Sequence, residues 1–109
     1  MEQIFNKLVR DNIPAKIESN GEVAVTRVLD EDEYRKELYK KLLEESNEVI
    51  NSNTKEETLE ELADVLEIIK SIADLENSNL GEVMEISNQK RLKRGGFEKR
   101  IFLEKTIDK

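Results

Sequence analysis

Apolar residues recur at helical spacing through the middle of the chain, most densely from Leu59 to Leu75, where ten of 17 positions are apolar. At about 100° per residue these ten cover roughly 240° of circumference, against the roughly 100° stripe that a surface helix needs. One small domain would struggle to cover so wide an arc. A homodimer or a higher symmetric oligomer such as a homotetramer is therefore expected, with this helix at the interface. Local punctuation divides the rest. A short first helix is expected from about Asn12, with Pro14 in its opening turn, to just before Gly21. Val23 to Leu29 reads as a short extended segment rich in β-branched side chains. Asp30 with Glu33 is an N-cap arrangement for a helix to about Ile50, and Thr54 with Glu57 is a capping box for the next, to about Glu76. Asn79 with Glu82 repeats the signal for a fourth helix, which Gly95 and Gly96 should end at Arg94. Phe97 to Leu103 is then an extended tail or strand. The expected fold is all-α, a bundle of about four helices with short extended N- and C-terminal segments and a little strand.

At 109 residues, one domain over 1–109 is the default. Composition sharpens this: 37% hydrophobic, 39% charged, one proline and four glycines fit a helix-rich soluble protein. A net charge of -7 argues against general affinity for nucleic acid or an anionic membrane surface. MEQIFNKLVRDNIP contains no apolar run of signal-peptide length, and no later segment approaches the roughly 20 apolar residues of a membrane span, so a cytoplasmic location is expected. Cysteine and histidine are both absent. That excludes disulfides, thiolate nucleophiles, Ser-His pairs, zinc fingers and histidine-ligated iron. An enzyme built from this chain would work with carboxylates, lysines, arginines and hard cations.

The central helices carry such carboxylates: Glu44, Glu45 and Glu48 in EESNE, then Glu61 and Asp64 in ELAD. Residues three apart share a helix face, so Glu45 with Glu48 and Glu61 with Asp64 each form a two-carboxylate claw. With 19 glutamates present the string alone says little, and a second copy occurs at Glu56, Glu57 and Glu60. Placement relative to the apolar stripe discriminates. With Leu59 at zero, Glu61 falls at about 200°, between Ile68 and Ile72, and Asp64 at about 140°, on the edge of the arc. With Tyr34 at zero, Glu45 falls at about 20° beside Leu38, and Glu48 at about 320°, on the margin. Glu60, at about 100°, lies on the polar side. An ionised carboxylate facing a core is costly unless its charge is opposed, and one or two divalent ions would oppose four such charges. The competing reading is a set of solvated glutamates, or glutamates paired with Lys40, Lys41 or Lys93.

EESNE and ELAD, in this order and spacing, resemble the Glu-Glu-x-x-Glu then Glu-x-x-Asp signature of MazG-like nucleotide pyrophosphohydrolases, an all-α superfamily that includes the phosphoribosyl-ATP pyrophosphohydrolases. FNKLVRDNIP and KRLKRGGFEKRIFLEK are similar to one small single-domain branch, so the resemblance covers nearly the whole chain. Asn12 stands where many relatives carry lysine, a difference that bears on one phosphate contact. The resemblance implies Glu45, Glu48, Glu61 and Asp64 as ligands of magnesium, with manganese as a substitute. It also implies hydrolysis of a nucleoside triphosphate between the α and β phosphates, giving monophosphate and pyrophosphate. Glu44, Glu45 or Glu48 could take the attacking water's proton, and the residues do not choose among them.

The leaving pyrophosphate needs positive charge. Lys90 and Arg94, at about 340° and 20° from Val83, share its face of the fourth helix and suit phosphate binding. Lys7 and Arg10 either touch substrate or anchor the first helix; Asp11 reads as an anchor. The tyrosines and phenylalanines are too scattered for a base-stacking platform. Beside the triphosphate enzyme stand a phosphoribosyl-ATP pyrophosphohydrolase, a non-catalytic helical interaction module, and a nucleic-acid module using the basic segment from Lys90 to Arg100.

Overall fold

A computed structural model describes residues 1–109. Four helices are present and no strand: α1 Ile13–Ser19, α2 Glu31–Ile50, α3 Lys55–Leu75 and α4 Leu80–Arg94. Their starts are local chemistry. Asp30 Oδ1 accepts from the Glu33 amide at 2.9 Å, Thr54 Oγ1 from Glu57 at 3.1 Å, and Asn79 Oδ1 from Glu82 at 2.9 Å. Each occupies a backbone donor that the first turn leaves unpaired. Glu57 also reaches back, accepting from the Asn53 amide at 3.0 Å, one residue before the position a capping box uses. Thr54→Ala is expected to lower stability by about 1 kcal/mol, read as a reduced urea midpoint at unchanged slope. Helix ends are equally local: Gly95 closes α4 at φ 82, a left-handed conformation that favours glycine, with its amide on Arg91 O at 2.8 Å.

The little strand expected is not found: Val23–Leu29, read as an extended segment, and Phe97–Leu103, read as an extended tail or strand, both lack regular structure. β-branched content favours an extended backbone, but a strand also needs a ladder partner, and neither segment has one in the chain.

Residues 51–54 join α2 to α3, and the two run antiparallel: an Arg35–Glu76 ion pair ties the start of α2 to the residue just past α3. Ser52 and Thr58 hydroxyls share a 2.7 Å hydrogen bond at the turn. This hairpin holds the principal helix packing. α4 touches α3 over a small area, and α1 packs on no other helix, so one chain does not close a four-helix bundle. Only Leu38, Ile68 and Ala73 are buried. The radius of gyration is 18.9 Å, where a compact domain of this length has about 13 Å. No helix is long and apolar enough to cross a membrane.

Candidate metal centre

The hairpin register decides which acids meet. Glu45 lies eight residues before Asn53 at the turn, and Glu61 eight after, so antiparallel packing sets them opposite each other. Seven residues further from the turn on each helix stand Leu38 and Ile68, both buried. Two helical turns return to nearly the same face, so the two glutamates continue the seam that this apolar pair fills. Asp64 follows Glu61 by one turn. Carboxylate oxygens of Glu45, Glu61 and Asp64 all lie within 4.8 Å of one another, and the three residues are half-buried.

Glu48 lies outside this triad and is exposed, but its charge still reaches Glu61. Glu61 is held above the ordinary carboxylate range, first by loss of solvation in the seam, then by the neighbouring Glu45, with Asp64 and Glu48 adding like charge. Glu44 points elsewhere. It lines a small cleft with Lys7, Leu8, Glu37, Lys40 and Lys41, between α2 and the N-terminal segment. Two chain cations border the triad: Arg10 Nη2 donates to Asp64 Oδ1 at 2.6 Å, and Lys41 Nζ lies 3.9 Å from Glu45 Oε1. Lys90 and Arg94 are exposed on α4, which makes no packing contact with α2, and no ion pair joins either to the acids. Arg94 instead lines a surface cleft with Arg91, the glycine pair and residues 97–101. Lys7 has Phe5 as a neighbour, its Nζ 5.7 Å from the ring centre.

The donor set is carboxylate oxygen throughout, the chemistry magnesium and manganese prefer. Opposite ligands of magnesium stand about 4.2 Å apart, so oxygens within 4.8 Å need an inward shift of under about 1 Å. Counting Glu48, four carboxylates less the charges of Arg10 and Lys41 leave two negative charges, the charge of one divalent ion. The residues fit such an ion. The Arg10–Asp64 contact had no sequence signal, because its partners are 54 residues apart and share no periodic element.

No protein-family model matches the chain, and no match was found among curated proteins or among solved structures.

Proposed function

We propose that the chain is a magnesium-dependent nucleoside triphosphate pyrophosphohydrolase, a MazG-like enzyme that splits its substrate between the α and β phosphates into monophosphate and pyrophosphate. The observation that carries this reading is the meeting of Glu45, Glu61 and Asp64 from two antiparallel helices in a half-buried seam, where uncompensated negative charge is costly. Glu45, Glu48, Glu61 and Asp64 would hold the cation, which supplies a Lewis acid to offset phosphate charge and acidify a water. The chain's own residues do the rest. The claws fix where the triphosphate's charge is met, and Glu44, Glu45 or Glu48 would take the proton of the attacking water. Of the four cations expected to meet the departing pyrophosphate, Arg10 lies beside the triad, whereas Lys7, Lys90 and Arg94 would have to be brought to it by substrate binding or assembly.

Assembly belongs to the same reading. The accessible surface is 10299 Å², against about 6,200 Å² for a compact protein of this mass. The excess, roughly 4,000 Å², exceeds the roughly 800 Å² each partner gives to a standard interface. Exposed apolar side chains run along α3 at Leu59, Leu62 and Leu66 and continue on α4 at Met84 and Ile86. A homodimer or homotetramer would cover them.

Two measurements test the proposal. Magnesium at about 100 times its Kd should stabilise the fold by about 2.7 kcal/mol, a rise in Tm on the order of 10 °C. Indifference to millimolar magnesium would instead favour the helical interaction module, which the exposed apolar surface also suits. A panel of canonical and modified triphosphates, with phosphoribosyl-ATP included, should then yield monophosphate and pyrophosphate from at least one triphosphate; release of orthophosphate alone would refute the cleavage position.

A further inference from the structure

Arg10 precedes α1 in a segment without regular structure, yet its guanidinium reaches Asp64 on α3. Among the chain's ion pairs this is the one that ties the N-terminal segment to the helical hairpin. It differs in kind from the Lys41–Glu45 contact on the far side of the triad. Lys41 shares a helix with Glu45, one turn away, so its backbone stays beside that glutamate whatever binds. Arg10 arrives on a segment that meets α2 at Lys7 and Leu8 but whose own helix packs on no other, so no second ion pair fixes it at the triad. Its side chain is 55% exposed and that of Asp64 41%, so water can replace either partner at small cost. A guanidinium stays charged at every working pH, and a second cation at the same carboxylate oxygen would be repelled by it.

We propose that Arg10 is a resident counter-ion of the acid cluster: it holds Asp64 Oδ1 while the divalent site is empty and gives that oxygen up when a cation binds, so that the N-terminal segment is latched over the seam only in the cation-free protein. This rests on the metal-site reading above. Displacement leaves three of the four negative charges uncompensated by the chain, which favours the arriving ion. It also frees the guanidinium for phosphate oxygens, to which it can donate two parallel hydrogen bonds.

The test is titration of the whole nucleotide-free protein with manganese, read from the electron paramagnetic resonance of the free ion, on wild type, Arg10→Gln and Arg10→Lys. Arg10→Gln should bind manganese about two- to fivefold more tightly, the range set by an exposed ion pair, and Arg10→Lys should resemble wild type. Equal or weaker binding by Arg10→Gln overturns the proposal, because Arg10 would then orient Asp64 rather than compete for it. A second readout is tryptic cleavage after Lys7. It should accelerate with saturating magnesium in wild type, and be fast and magnesium-independent in Arg10→Gln; wild-type cleavage indifferent to magnesium also overturns the latch. A wild type that takes up no manganese sinks the metal-site reading together with the latch. Failure of the latch alone leaves wild-type binding intact and independent of residue 10.

Discussion

Glu61→Gln is expected to cut pyrophosphate release by more than about 100-fold and, at the same time, to raise the thermal stability of the metal-free protein. The first effect follows from ligand loss. Removing even a group that only supports a metal ligand costs 10- to 100-fold, and Glu61 lies within the apolar arc of α3, in the same acid triad as Glu45. The second follows from its environment. Loss of solvation, then Glu45, then Asp64 and Glu48 raise its pKa above the value it has in the unfolded chain. The folded state therefore binds that proton more tightly than the unfolded one. Stability linked to this proton is fully present below the unfolded pKa and is lost as pH rises through the raised folded value. At pH 7.5 the carboxylate opposes folding, while a glutamine amide of the same shape does not. In EDTA the variant should melt above wild type, by a margin that shrinks as pH falls toward the ordinary carboxylate range. Added magnesium should stabilise wild type and leave the variant unmoved. Glu60→Gln, on the exposed face, should change neither turnover nor the magnesium response. Wild-type turnover by Glu61→Gln, or a lower melting temperature in EDTA, would remove the reason for placing a cation here.

The helix ends were legible because capping is settled within three residues. Asp30 with Glu33, Thr54 with Glu57 and Asn79 with Glu82 each state a start without reference to the rest of the chain. The expectation of a little strand did not survive, and of the two readings of Phe97–Leu103 the strand is not found, since a strand depends on a partner that composition does not reveal. Glu45 and Glu61 were legible from their angles within apolar arcs. Their pairing was legible too, although through a different signal: equal spacing from the turn, shared with Leu38 and Ile68, which a short antiparallel hairpin converts into contact. Glu44 shows where a string misleads. It adjoins Glu45 in sequence, but one residue is about 100° of helix, enough to carry it to the Lys40 side. Lys90 and Arg94 share a face of α4 as expected, but sharing a face says nothing about which way a helix leaves its neighbour. Within one chain α4 does not bring them to the acids through any ion pair.

Leu66→Asp is expected to abolish assembly and, with it, most of the folded structure. Leu66 is 48% exposed on the same helix that carries Glu61 and Asp64, in an apolar row with Leu59 and Leu62. Three buried residues cannot offset the conformational entropy of 109, so the stability of the chain must come largely from apolar surface that a single copy leaves open to water. A carboxylate placed in that row would be stripped of water on association with no partner to offset its charge. Light scattering should give wild type a mass of at least twice 12.7 kDa, and melting temperature should rise with protein concentration, because folding and association are then one equilibrium. Leu66→Asp should elute as a 12.7 kDa species with little helical circular dichroism. Turnover per chain should fall on dilution for the same reason, as expected where the hairpin that sets Glu45 against Glu61 depends on a second copy to cover its apolar surface. A wild type that stays monomeric at micromolar concentration, with a cooperative melt independent of concentration, would show that the hairpin stands alone.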